Sequence, residues 1–425
     1  MSSRPTASQA TPRSRDDVSL NDVSLEDEAL HECRDDVSLD GTLAHGLGEL
    51  EAAELLRADR PMTRRQGGVV EVDGRELVDF ASNDYLGLAA DPRPAAAAAR
   101  LLAVEGAGAG AARLISGTHP THLRLERTLA AMKGKEAALL FGSGYAANVG
   151  AIAALAGRGD ILYSDELNHA SVIDGCRLSR AEVRIFPHRD LPALEELMRR
   201  DRRTQPEGSR WIVIEGVYSM EGDLFPLDRL VPLAQKHGAR VYLDDAHGTG
   251  VLGREGRGSA EHFGVAGEID VVLGTLGKAI GTSGAFVAGS ERLRSWLLNR
   301  ARSFVFSTAP SAALAAASLE ALEILEREPE RRERVRAHAL RMRDGLAALG
   351  HPVARDSPGH IVPVRIGGAG ETMRIAAALE GRGYLVGSIR PPSVPPGSAR
   401  LRIGLSAAHS TEQIDGLLRA LEESR

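Results

Sequence analysis

From residue 136 onward the chain alternates short apolar runs with stretches whose apolar positions recur every three or four residues. EAALLF (136–141), DILYS (160–164), WIVIEG (211–216), RVYLDD (240–245) and DVVLGT (270–275) read as strands, and AANVGAIAAL (146–155) reads as a helix between the first two. Strands about 30 residues apart with helices between them predict right-handed βαβ crossovers, hence an α/β fold built on a doubly wound, mostly parallel sheet. Such sheets bind ligands at the carboxyl ends of their strands.

The flanks read differently. A short helical pattern runs from Leu47 to Leu56, and VVEVDGRELVDFAS (69–82) carries two alternating runs around Asp73-Gly74, a hairpin signal. After Pro310 an Ala/Leu/Arg-rich helical region extends to about Leu349, followed by short strands at HIVPVRI and ARLRIGLS. A last helix begins at Thr411, announced by the capping pair Ser410 and Gln413 and carried by Ile414, Leu417, Leu418 and Leu421. The expected division is an acidic extension at 1–45, an N-terminal segment at 46–90, a large α/β domain at 91–309 and a smaller α+β C-terminal domain at 310–425.

Charge sharpens this division. The net charge of -6 is carried by the first 45 residues, which hold 4 basic and 10 acidic side chains and repeat the phrase DVSL three times. That segment is expected to be a solvated, disordered extension. The remainder is neutral, which offers no electrostatic footprint for nucleic acid. No apolar run reaches the roughly 18 residues of a membrane span, the N-terminus lacks the apolar core of a secretory signal, and the only cysteines are Cys33 and Cys176. A cytoplasmic protein is expected.

The candidate chemistry lies just past the strands. WIVI ends in Glu215 and leads to Ser219, VYL ends in Asp244 and leads to His247, and VVLG ends in Thr275 and leads to Lys278. Only four lysines occur in the chain, and Lys278 sits among small and apolar residues, where desolvation makes an amine a nucleophile. A Schiff-base lysine with an acid to hold a pyridinium nitrogen is the minimum equipment for pyridoxal 5'-phosphate. Ser143, Gly144 and Tyr145 open a helix N-terminus able to cradle the phosphate, Thr275 adds a hydroxyl, and His169 is placed to stack on the ring. Two other readings stand beside this one. Gly142, Gly144 and Ala147 match a loose dinucleotide fingerprint, which leaves Lys278, Asp244 and Glu215 without work, and a catalytically silent scaffold would not need Lys278. Tyr85 reads as a core or rim aromatic. His119 and His122 read as a satisfied loop rather than a metal site, and no metal is expected.

SNDYLGL (82–88), GSGYAAN (142–148), NHAS (168–171), EGVYSMEGD (215–223), DDAHGTGVLG (244–253), TLGKAIG (275–281) and RPPSVPPGSARLR (390–402) together resemble the α-oxoamine synthases, fold-type I pyridoxal-phosphate enzymes. The resemblance spans about Leu47 to Leu421 and is strongest to the biotin-pathway branch. It implies a homodimer that condenses an L-amino acid with an acyl thioester, with loss of CO2 and release of free thiol. In that branch the substrates are L-alanine and pimeloyl-CoA or its carrier-protein equivalent. Glycine with acetyl-CoA is the main rival. The resemblance further implies that Lys278 condenses with the cofactor aldehyde, Asp244 pairs with the ring nitrogen, His247 and Ser219 bond the ring hydroxyl, and His169 stacks on the ring. Asn83 and Arg402 would hold the amino-acid carboxylate, Thr308 would reach the phosphate across a dimer interface, and Arg57 would meet the acyl substrate. Glu215 would lie near the ring without an assigned role.

Overall fold

The computed structural model describes residues 38–204, 207–354 and 357–424. It divides into a unit ending at Leu56 and a unit from Arg57 onward. In the first, helix α1 (Leu39–Ala52) begins eight residues before the helical pattern read from the sequence. Ser38 explains the earlier start: its hydroxyl accepts the Gly41 N–H at 3.0 Å, and Asp40 follows in the first turn, where a carboxylate favours the helix dipole. Of the acidic extension assigned to 1–45, residues 1–37 lie outside the described residues, and its end, from Leu39, is part of α1.

The second unit opens with β1 (Thr63–Arg65), β2 (Val69–Val72) and β3 (Arg75–Asp79), the β2–β3 hairpin turning at Asp73 and Gly74, both at positive φ. Helices α2 (Pro92–Glu105) and α3 (Pro120–Lys133) lead into β4 (Ala137–Phe141), α4 (Gly144–Leu155), β5 (Ile161–Asp165), α5 (Ala170–Ser179), β6 (Glu182–Phe186), α6 (Leu191–Thr204), β7 (Arg210–Glu215), α7 (Leu227–His237), β8 (Arg240–Asp244), the short α8 (Ser259–His262), β9 (Val271–Thr275) and β10 (Ala285–Gly289). The chain continues through α9 (Glu291–Arg300), α10 (Arg302–Val305), α11 (Ala312–Arg327), α12 (Glu330–Ala348), β11 (Ile361–Gly367), α13 (Ala369–Gly381), β12 (Tyr384–Leu385), β13 (Gly387–Ile389), β14 (Ala399–Gly404) and α14 (Thr411–Glu422).

Seven strands form the central sheet in the order β4-β10-β9-β8-β7-β5-β6. The pairs among β5 to β9 are parallel, as expected from their helical crossovers. Strand β10, which the sequence reading did not mark, runs antiparallel between β4 and β9. Its direction follows from length: the connection from Thr275 to Ala285 is too short for a crossover of a dozen residues, so the chain must turn back. Strand β6 was also missed, because at the sheet edge only Phe186 of its five residues is buried and the charged Glu182 and Arg184 break the continuous apolar run that marks the inner strands.

Alternate residues of one strand face opposite layers. Leu162, Val213 and Leu273 pack with Ala147, Ala151 and Ile152 of α4 and with Val172 and Cys176 of α5. Ile161, Tyr163, Ile212, Ile214, Val241 and Leu243 pack instead with Leu194 and Met198 of α6 and Leu230 of α7. The long helical region after Pro310 is two helices, broken at Glu328 and Pro329, where a ring nitrogen cannot continue the ladder.

Two small sheets close the fold. One has the order β1-β2-β3-β12 and the other β11-β14-β13, so the two-residue β12 ties the C-terminal part to the N-terminal hairpin. The fully buried Arg400 of β14 donates to the Met220 carbonyl at 3.1 Å and pairs with Glu221 at 2.5 Å, which fixes β14 against the loop after β7. Arg402, two residues on, is thereby delivered to the carboxyl end of the sheet. Among the described residues, no helix is long and apolar enough to cross a membrane.

Candidate active site

Strand β8 ends at Asp244, whose carboxylate accepts the Asn148 amide at 2.7 Å and the Ala246 N–H at 2.9 Å. Asn148 is itself held by Ser171 and by the buried Tyr242 hydroxyl, so α4, α5 and β8 all fix one carboxylate. The next residue, Asp245, points to the other side and anchors the loop. It pairs with Lys133 at 2.8 Å and accepts from the Ser259 backbone and hydroxyl, while Lys133 also donates to Thr249 and to the Arg257 carbonyl. Gly248 and Gly258 are required here, because a Cβ at either would lie 2.2 and 1.7 Å from the Asp245 carboxylate oxygens.

The same loop carries His247, buried, with its Nε2 2.8 Å from the Lys278 amine. Burial and the neighbouring Lys278 and Arg402 cations hold the His247 ring far below its usual pKa, so it is neutral. Burial also lowers Lys278, and although Asp244 and Glu215 pull it back up, it settles at about 8. Glu215, at the end of β7, moves the opposite way: burial and the Asp244 charge push it well above the ordinary carboxylate range. It accepts the backbone N–H of His169 at 2.5 Å. His169 caps α5, with its Nδ1 2.7 Å from the Ser171 hydroxyl, and burial lowers its pKa.

Arg402 donates from Nε to the Ser219 carbonyl at 2.7 Å and from Nη2 to Asn83 Oδ1 at 2.9 Å. The Tyr85 hydroxyl lies 2.9 Å from that same Oδ1, 3.2 Å from Arg402 Nη2 and 2.7 Å from His247 Nδ1. Tyr85 is buried in the core, as read from sequence, but its hydroxyl also joins this cluster, which the sequence reading missed. Its bond to Asn83 is local, but the two partners that place it in this cluster, His247 and Arg402, lie 162 and 317 residues away. His360 was missed too. Its buried ring packs edge-on to Tyr85 at 4.0 Å, finds no hydrogen-bond partner among the described residues and is pushed down to about 3 by burial and the nearby arginines.

Ser143 caps α4, its hydroxyl accepting the Ala146 N–H at 3.1 Å. The first-turn N–H groups of Gly144 and Tyr145 therefore face outward without intrahelical acceptors, and a Cβ on Gly144 or on the preceding Gly142 would meet nothing within 4 Å. The Tyr145 side chain turns away, bonding Asp174 of α5. Thr275 donates to the Gly284 carbonyl and accepts from Gly277, shaping the turn that presents Lys278. The chain thus brings together Lys278, His247, Asp244, Glu215, Asn83 and Arg402. Thr308 stays outside this cluster, exposed and bridged to Ala112, and Arg57 is exposed with no bond to any of these groups. His119 and His122 cap α3, and His122 lies 2.9 Å from the Pro310 carbonyl, so the pair is occupied in structure. Among the described residues no cluster could hold a metal ion.

A buried amine poised near neutrality, a carboxylate fixed by two donors and an open helix N-terminus match pyridoxal phosphate in turn at its aldehyde, ring nitrogen and phosphate.

The family pattern described as aminotransferase class I and II matches residues 75–421. An 8-amino-7-oxononanoate synthase of Anaeromyxobacter dehalogenans is 52% identical over 376 residues, covering 88% of this chain and 93% of that protein. The enzyme of the same name from Alkalilimnicola ehrlichii is 47% identical over 388 residues, covering 90% and 97%. Among solved structures, a lysine-to-alanine variant of serine palmitoyltransferase from S. paucimobilis, with a bound PLP–myriocin aldimine, superposes with a TM-score of 0.85 at 30% identity, covering 90% of this chain and 96% of that one. The 8-amino-7-oxononanoate synthase of Francisella tularensis superposes with a TM-score of 0.71 at 26% identity, covering 82% and 97%. With half of its residues shared along nearly the whole length of such relatives, the chain belongs to the class I and II aminotransferase family, in the 8-amino-7-oxononanoate synthase branch of the α-oxoamine synthases.

Proposed function

We infer that the chain is a pyridoxal-phosphate-dependent acyltransferase of biotin biosynthesis. It joins L-alanine to a pimeloyl thioester, giving 8-amino-7-oxononanoate, CO2 and free thiol. The observation that carries this reading is the Lys278 amine, held at about 8 and 2.8 Å from a neutral His247, at the sheet edge where Asp244 and Arg402 converge. Bound pyridoxal phosphate supplies an electron sink for the negative charge developing on the amino acid's α-carbon.

The chain's own residues do the rest. Lys278, its pKa lowered to about 8, exposes a substantial fraction of neutral amine near physiological pH, which would serve first as nucleophile and then as the base that takes the α-proton. Asp244, immobilised by Asn148 and the Ala246 N–H, keeps a proton at the ring nitrogen. Glu215, its pKa raised by burial and by the Asp244 charge, holds α5 through the His169 N–H and so fixes the His169 ring where it would stack on the cofactor. His247 and Ser219 would bond the ring hydroxyl. Arg402 and Asn83 hold the substrate carboxylate, the guanidinium being aimed by its Nε bond to Ser219. Ser143, Gly144, Tyr145 and Thr275 form the phosphate cradle.

A second copy of the chain completes the site. Ile115 and Phe306 are 81% and 71% exposed on adjoining segments that also carry Thr308, an apolar surface expected to be covered by a homodimer partner, across which Thr308 reaches the phosphate. Arg57 is assigned to the acyl substrate. The purified protein should be yellow, and Lys278→Ala should lose turnover by at least about 1000-fold while still binding cofactor through the phosphate cradle. Retained turnover in that variant, or a protein that takes up no cofactor, would overturn the assignment.

A further inference from the structure

We propose that Tyr85 is a positioning residue of this site: its hydroxyl decides which ring nitrogen of His247 carries the proton and ties that choice to the Asn83–Arg402 subsite. The inference rests on the roles given above to Lys278, His247 and Arg402.

A tyrosine hydroxyl has one proton to give and two lone pairs to receive. Three groups surround that of Tyr85. The Asn83 atom beside Arg402 Nη2 must be the amide oxygen, because a guanidinium only donates, and an oxygen facing Tyr85 at 2.9 Å can only accept. The Tyr85 proton is therefore committed to Asn83. Arg402 Nη2, at 3.2 Å, fills one lone pair. The remaining lone pair faces His247 Nδ1 at 2.7 Å, so Nδ1 must be the nitrogen that bears hydrogen. The neutral ring then presents a bare Nε2 to the Lys278 amine 2.8 Å away, where it accepts a proton-bearing bond.

The opposite tautomer breaks this pattern in two places. It needs the only Tyr85 proton to leave Asn83 for Nδ1, and it turns a donor toward Lys278. Any ligand that draws an N–H of Arg402 away from Tyr85 is thereby felt at His247. Packing alone does not call for the hydroxyl, since the ring sits among Leu86, Leu88 and the edge of His360, where a phenylalanine would fit equally well.

The test uses the full-length protein with 15N-labelled histidines, cofactor-free and cofactor-loaded, with the His247 signals assigned by His247→Asn. The cofactor-free protein is expected to show a protonated Nδ1 and a bare Nε2, and Tyr85→Phe to lose that pattern. In the loaded enzyme Tyr85→Phe should raise KM for L-alanine about tenfold and leave KM for the acyl thioester within about twofold. A protonated Nε2 in the parent protein overturns the proposal whether or not the variant folds, as do identical spectra for the two proteins or an equal rise in both KM values. Spectra as expected, with no turnover of L-alanine and pimeloyl thioester, would sink the substrate reading and leave the Tyr85 assignment standing.

Discussion

Lysine ordinarily holds its proton to a pKa of 10.5, and Lys278 gives it up at about 8 because burial outweighs the pull of Asp244 and Glu215. Only the neutral amine attacks an aldehyde, so in cofactor-free protein the rate of pyridoxal-phosphate uptake should climb with pH and level off above about 8. Below that it should fall roughly tenfold per pH unit as the amine protonates. Stopped-flow absorbance in the visible checks this, and a rate still climbing at pH 10 would mean an ordinary exposed lysine. Residues of this kind were legible in the sequence because their signals are local: Asp244 and Glu215 each end an apolar strand run, and Lys278 follows one by three positions. Tyr85 and His360 were not, since Tyr85 joins the site through His247 and Arg402, 162 and 317 residues away, and His360 through the edge of Tyr85.

Between strands and helices, the site is a matter of how loops are pinned. The loop after β8 presents Asp244 and His247 from opposite ends, and what holds it is Asp245, gripped by Lys133 from the end of α3. Removing one member of a buried pair leaves the other charge without compensation. Lys133→Met should lower stability by about 3 kcal/mol, read as a drop in the denaturant midpoint, and weaken cofactor binding through the loosened loop. An unchanged midpoint would show that the pair does not hold the loop. The parallel strands and α4 could be read from periodicity, because both faces of the sheet are buried and the strands are nearly continuous apolar runs. The antiparallel β10 and the edge strand β6 could not, since the direction of β10 depends on connection length, and β6 mixes polar with apolar residues. The two residues of β12 are too few to carry any periodicity.

The whole chain adds an acidic N-terminal stretch to an otherwise neutral body. Its helical end, α1, has no buried residue, and the residues assigned to chemistry all lie from Arg57 onward. Removing residues 1–37 should therefore leave kcat and KM within about twofold of the full-length enzyme in steady-state assays, whereas a loss of tenfold or more would give that stretch a part in catalysis. What no segment of sequence discloses is the length of the acyl chain, because each methylene in a pocket is worth only about 1 to 3 kcal/mol and leaves no motif. The most direct measurement is therefore thiol release across L-alanine, glycine and L-serine, each paired with pimeloyl-, acetyl-, succinyl- and palmitoyl-CoA, with the product of every pair identified by mass. The proposed function predicts strong release with L-alanine and pimeloyl-CoA and a product of the mass of 8-amino-7-oxononanoate. A preference for glycine with acetyl-CoA, or release with no amino ketone formed, would contradict it.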